Sequence, residues 1–146
     1  MKKLIISLLC LTVIFPIIVA CDDRPIPFVQ LPQQAQQFVK EHFADNSVAL
    51  VKKDVELNET SYELIFTSGS RVQFDRKGNW TDVECKYTQF PMEIIPQPIR
   101  NYLSQNYPEI KVCKIEKKSR KRYEVELIND IELMFDSNYN LIGIDY

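Results

Sequence analysis

Tyr62-Glu-Leu-Ile-Phe-Thr-Ser-Gly-Ser-Arg-Val-Gln-Phe-Asp-Arg-Lys-Gly-Asn-Trp-Thr-Asp-Val-Glu-Cys85 returns later in the chain as Tyr123-Glu-Val-Glu-Leu-Ile-Asn-Asp-Ile-Glu-Leu-Met-Phe-Asp-Ser-Asn-Tyr-Asn-Leu-Ile-Gly-Ile-Asp-Tyr146. One constant offset aligns Tyr62 with Tyr123, Glu63 with Glu124, Phe74 with Phe135, Asp75 with Asp136 and Val83 with Ile144. Such agreement predicts a tandem duplication. Each copy alternates apolar and polar residues with a period of two and is cut by short turn-rich gaps, the pattern of antiparallel strands rather than of parallel crossovers.

Working outward, each copy is preceded by a helix. Leu31-Pro32 opens the first, with Leu31, Ala35, Phe38, Val39 and Phe43 on one stripe; Ile95-Pro96 opens the second, with Ile99, Tyr102, Leu103 and Tyr107 at the same spacings. Proline near the first helical position costs no hydrogen bond, and the stripe is the face a helix buries. The predicted repeat is therefore a helix followed by four strands, an α+β meander with the helix lying on the sheet. Residues 31–85 form repeat 1, 86–94 a linker and 95–146 repeat 2. A helix on four strands is a marginal core alone, so the repeats are expected to join through an extended sheet or a common core. Alternation puts Tyr62, Leu64, Phe66, Val72, Phe74, Thr81, Val83 and Cys85 on the helix side, with Tyr123, Val125, Leu127, Ile131, Leu133, Phe135, Ile142, Ile144 and Tyr146 as their counterparts.

Before the first helix, Met1-Lys-Lys and the apolar run Leu4 to Ala20 read as a signal peptide over residues 1–20. The run closes in Ile18-Val19-Ala20-Cys21, a bacterial lipobox in form, which makes Cys21 the expected lipidation site and 21–30 a lipidated tether. Acyl chains on Cys21 would hold the protein on a membrane without any membrane-binding surface in the rest of the chain. Asp22-Asp23 resembles the acidic sorting signals of Gram-negative lipoproteins. The expected location is the Gram-negative cell envelope, lipid-anchored, on the periplasmic side or at the outer-membrane surface.

With 18 Lys and Arg against 20 Asp and Glu the chain carries a net charge of −2, and loss of Lys2 and Lys3 with the signal leaves it more acidic. That excludes a general nucleic-acid binder, which needs clustered positive charge. Of four cysteines, Cys85 and Cys113 remain after the signal and Cys21 are set aside; two buried free thiols are favoured over a disulfide, although the envelope permits one.

The whole of Leu31 to Tyr146, with its two helices, its Tyr-Glu-aliphatic strands and its Phe-Asp-x-x-Gly-Asn-Trp turn and second version, resembles the PepSY-like periplasmic proteins. Their fold is grouped with that of the β-lactamase inhibitor protein. The resemblance implies tandem repeats and an envelope location, and no established activity; inhibition would follow from it only by analogy of fold. Tyr139 stands where the first copy has Gly78, so Asn138 is expected to take the left-handed position of the second turn.

No residue set asks for catalysis, a metal or a cofactor. His42 is the single histidine and has no nucleophile motif or second metal-ligand pair beside it. Glycine occurs only at 69, 78 and 143, which excludes a glycine-rich phosphate loop. Asp75 and Asp136 sit at equivalent turns and read as structural caps. Glu63 and Glu124 are expected on the open sheet face; Trp80, Leu141, Ile65 and Met134 share its parity as apolar partner-binding candidates. Lys117, Lys118, Arg120, Lys121 and Arg122 form a basic hairpin. The expectation from these features is a non-enzymatic envelope lipoprotein that binds an unidentified envelope protein or peptide through its open sheet face, as an inhibitor or adaptor. The alternative is a structural or stress-related envelope protein whose basic hairpin touches anionic lipid.

Overall fold

In the computed structural model, residues 24–56 and 59–146 are described; the signal segment, Cys21 and the start of the tether lie outside them. The elements run in the order β1 (Arg24–Pro25), α1 (Gln33–His42), β2 (Val48–Glu56), β3 (Glu59–Phe66), β4 (Arg71–Asp75), β5 (Trp80–Glu84), α2 (Gln97–Asn106), β6 (Val112–Lys118), β7 (Arg122–Leu127), β8 (Glu132–Phe135) and β9 (Leu141–Asp145). Among the described residues nine strands form one sheet in sequence order, and every neighbouring pair is antiparallel. The described residues thus form an α+β protein with a continuous antiparallel sheet and two α-helices.

Its spine is a single cross-strand row. Val51, Leu64, Val72, Val83, Ile115, Val125 and Leu133 follow one another strand by strand from β2 to β8, and all are buried. Burying a side chain of this size is worth roughly 1.5–3 kcal/mol, so the row joins both halves into one core. The β5–β6 ladder carries that core across the junction, with Val83 opposite Ile115.

Both helices lie on this side of the sheet. Pro32 and Pro96 stand at their N-caps. Ala35 and Val39 of α1, and Ile99 and Leu103 of α2, are buried in the same cluster as the strand row. Phe38 meets Phe74 edge-on at 5.7 Å, and Tyr102 meets Phe135 edge-on at 5.5 Å, so each helix reaches its own half in the same manner. The link between the halves is packed: Phe90, Ile94 and Ile95 are core residues, Ser70 and Thr88 hydroxyls are 2.8 Å apart, and His42 Nδ1 lies 3.0 Å from Glu93 Oε1. The histidine therefore ties α1 to the link.

Four expectations are corrected. Arg24 and Pro25 pair with Lys53 and Lys52 at the sheet edge, where a free tether was expected. Bulges reverse the parity of β5 and β9. Gln73 faces Asp82 but Phe74 faces Trp80, which makes Thr81 an extra residue; Met134 faces Gly143 but Phe135 faces Leu141, which does the same to Ile142. An extra residue swings every residue before it to the other face. Trp80 and Leu141 therefore pack against the core, and Ile142 is exposed. At the end of the chain, Ile144 is only partly covered and Tyr146 is 89% exposed, because β9 is an edge strand with no further neighbour. Finally, the left-handed residue of the second turn is Tyr139, at φ 65, and not Asn138.

Candidate functional site

The face opposite the helices is built by register. From β2 to β9 one row reads Lys52, Glu63, Gln73, Asp82, Glu116, Glu124, Met134 and Gly143; the next reads Leu50, Ile65, Arg71, Glu84, Lys114, Glu126, Glu132 and Asp145. These are the outward positions of the strands whose inward positions form the core, so period two alone puts nearly every charged strand residue of the sheet here.

The charges are knitted together. Glu63 forms ion pairs with Lys52 and with Arg71, each at 3.9 Å. Arg71 Nε donates to Glu84 Oε2 at 3.0 Å, and Lys86 lies 3.6 Å from both Glu84 and Glu126. A second string runs alongside: Asp82 to Lys114 at 3.1 Å, Lys114 to Glu116 at 3.4 Å, Lys118 to Glu116 at 2.8 Å and Lys118 to Glu124 at 3.3 Å. Single exposed pairs are worth about 0–1 kcal/mol; strings of partly buried ones fix the positions of long side chains. Asp82 and Glu84 are nearly buried. Burial pushes the Glu84 carboxyl up, but the Arg71 hydrogen bond and charge with Lys86 outweigh it and leave it below the ordinary value. Burial wins at Asp82, whose carboxyl stays above its ordinary value despite Lys114. The hydrogen bond to Glu84 raises Arg71.

Glu63, Glu124, Ile65 and Met134 thus share this face, and Trp80 and Leu141 do not. Trp80 sits 6.4 Å from Phe38 with Lys117 Nζ 3.5 Å from its ring centroid. Desolvation lowers the Lys117 pKa, against the pull of Asp75. The basic hairpin is divided accordingly. Lys117 lies over the tryptophan on the helix side, Lys118 belongs to the charge string, and Arg120, Lys121 and Arg122 are exposed at the tip, where Arg120 and Lys121 adopt positive φ. Asp82 and Glu84 lie on this face as their parity in the sequence implies; Arg71, Lys86, Lys114, Glu116 and Glu126 join them unforeseen, because these partners come from strands whose register the sequence does not state.

The duplicated aspartates are held by their turns. Asp75 Oδ1 accepts from the N–H of Lys77 at 2.8 Å and of Asn79 at 2.9 Å, and Oδ2 from the Asn79 side chain at 2.8 Å. Asp136 makes the same bonds with Asn138 and Asn140 at 2.8, 2.9 and 3.1 Å. Burial raises Asp75, but the Asn79, Lys77 and Gly78 hydrogen bonds bring it below its ordinary value. Three of the roughly four acceptor sites of each carboxylate are thus taken by its own turn. Cys85 and Cys113 are free and buried; Cys85 packs in the core, whereas Cys113 Sγ lies 3.5 Å from the Glu126 carbonyl, and burial with the nearby Glu126 charge pushes its thiol up to about 11. Among the described residues no group of three or more His, Cys, Asp or Glu is placed to hold a metal ion, and no helix is long and apolar enough to cross a membrane.

A one-sided helix-on-sheet protein with a charge-laced open face defines the class. Within that class, the family model described as "Putative beta-lactamase-inhibitor-like, PepSY-like" matches residues 17–59 and 60–143, and the chain belongs to the PepSY-like family. Three solved structures are similar to it. A "putative calcium-regulated periplasmic protein" of Bacteroides thetaiotaomicron shares 52% identity at a TM-score of 0.83, over 86% of this chain and 98% of its own. A "putative periplasmic protein" of Bacteroides vulgatus ATCC 8482 shares 46% at 0.82, over 86% and 98%. Another from the same organism, of unknown function, shares 32% at 0.79, over 85% and 99%. These likenesses support a periplasmic location. No curated protein matches the chain.

Proposed function

We propose that the chain is a non-enzymatic envelope module that recognises a protein or peptide through the uncovered sheet face, as an inhibitor or adaptor. The observation that carries this reading is the pair of charged rows crossing β2 to β9 with both helices on the other side. Carboxylates outnumber cations on them, and Glu126, Glu132 and Asp145 follow one another across β7, β8 and β9. A face fixed by ion pairs and acidic in balance suits a partner with a complementary basic surface, since such complementarity governs encounter and specificity. Ile65 and Met134 supply apolar contacts within it. In this reading the two halves are a tandem duplication in a β-lactamase-inhibitor-protein-like arrangement, and acyl chains on Cys21 hold the module at the membrane.

The test is cross-linking capture from envelope extract by the full chain and by a Glu63→Lys, Glu124→Lys variant, with Trp80→Ala as a control on the opposite face. A defined protein captured by wild type and by the Trp80 variant, and lost by the double variant, is the expected result. Equal capture by all three would remove the face from consideration. A second reading rests on the exposed Arg120, Lys121 and Arg122 tip, which suits anionic lipid; it requires vesicle binding that falls steeply with salt. Calcium, named for the Bacteroides thetaiotaomicron relative, is added to the capture as a separate arm.

A further inference from the structure

At the border of the charged face, beyond Lys86, a groove of about 680 Å³ opens between the link, the C-terminal end of α2 and the segment leading into β6. Its size is that of small-molecule sites, which span roughly 300–1,000 Å³. Phe90, Leu103, Tyr107, Ile110 and Val112 give it an apolar wall, and Met92 and Ile128 lie at its mouth, partly or largely exposed.

Its charge is one-sided. Lys86, Arg100 and Lys111 line it and no aspartate or glutamate does, in a chain where acids outnumber bases. Lys86 is already engaged by Glu84 and Glu126. Arg100 is not fully engaged: one terminal nitrogen donates to Gln97 Oε1, while Nε is buried without an acceptor among the described residues. Glu93 feels the Arg100 charge but its Oε1 stands 3.0 Å from His42. A buried guanidinium donor lacking its acceptor carries a desolvation cost, and the Arg100 guanidinium, in a residue that lines the groove, matches carboxylate oxygens in geometry.

We propose that this groove binds a small amphiphilic carboxylate, its head group on Arg100 with Lys111 at the rim and its apolar body along Phe90, Leu103, Tyr107 and Ile110. The occupant is a fatty-acid-like monoanion, and the groove meets the charged face only at Lys86, whose partners Glu84 and Glu126 belong to that face.

Calorimetric titration of the purified full chain with decanoate, and with decanol as the uncharged analogue of the same length, tests this. Decanoate binds saturably and decanol about tenfold or more weaker. Arg100→Gln weakens decanoate by about 10- to 100-fold, the range of a hydrogen bond to a charged group, and leaves decanol unchanged. Ile128→Glu, at a position 52% exposed and so harmless to folding, sets a like charge at the mouth and weakens decanoate more than decanol. Absence of saturable decanoate binding, equal affinity for the two probes, or decanoate binding unchanged in both variants would each overturn the proposal.

Discussion

The turn after β4 and the turn after β8 make the same hydrogen bonds with different residues at their tightest point. Asp75 N donates to the Asn79 carbonyl at 2.8 Å and Gly78 N to the Asp75 carbonyl at 3.0 Å; the second turn repeats these at 2.9 and 3.0 Å through Asp136, Asn140 and Tyr139. Gly78 has φ 88 and Tyr139 φ 65. What separates them is the helix. A Cβ on Gly78 would stand 2.8 Å from both Ala35 N and Pro32 Cβ, at the start of α1. Tyr139 instead turns its ring to Tyr123, with centroids 5.7 Å apart. The aspartate dictates the turn; the approach of the helix decides whether a side chain is tolerated there.

The largest effect expected from breaking this comparison is Gly78→Ala. Left-handed backbone costs a non-glycine residue roughly 1–2 kcal/mol, and the clash adds about 1–3 kcal/mol of overpacking; urea unfolding should show a loss of about 3 kcal/mol. Tyr139→Gly exchanges relieved strain for a lost ring contact, and its midpoint should stay within about 1 kcal/mol of wild type. A comparable loss at both sites would mean that the helix is not what distinguishes them.

Next comes the cap itself. Asp75→Ala leaves two turn N–H groups and the Asn79 amide unpartnered, at a cost of roughly 2 kcal/mol. Asp136→Ala, whose turn bonds lie nearer solvent, should cost less. The same carboxylates set the acid response. Asp75, Glu84 and Glu116 lie below their ordinary values of 3.8 and 4.5 in the folded state. Their stabilisation is therefore complete above that range and is lost as pH falls through it and below, as the unfolded chain takes up protons first. Denaturation midpoints measured from pH 7 down to about pH 3 should stay level and then drop below about pH 4.5, with a shallower drop in Asp75→Asn.

Trp80 and Leu141 differ in the same spirit, since only the first lies beneath a lysine. Trp80→Leu should cost about 1 kcal/mol, from the lost cation–π contact and the smaller side chain. The smallest effect belongs to Asp82, whose carboxyl is held above its ordinary value by burial. Asp82→Asn should be neutral or slightly stabilising at pH 7 and should gain nothing as the pH is lowered through the raised value; a loss of 2 kcal/mol or more would mean that Lys114 outweighs burial.

How far these differences could be read in advance depends on range. Helix stripes and turn aspartates are local patterns, and Leu31 to Phe43 and Asp75 to Asn79 state them within a few residues. The bulges at Thr81 and Ile142 are local too, but they break the period-two alternation by which a strand's faces are told apart, so alternation puts Trp80 and Leu141 on the wrong side. A glycine or asparagine turn leading directly into a strand is the available warning. The ion-pair strings are a different matter: Glu84 and Arg71 are joined by register, and Lys86 and Glu126 by pairing across the junction between halves. No spacing within one strand encodes either. Arg100 and its groove depend on where the link folds back against α2, which strand periodicity does not address.

The central claim is that a partner docks on the charged face. A photo-activatable phenylalanine analogue placed at Gln73, exposed in the middle of that face, and in a second chain at Gln105, exposed on α2, would be irradiated in living cells that express the full chain. Adducts of one defined mass from position 73 and none from position 105 are the predicted result; adducts from 105 alone, or from neither position, would contradict it.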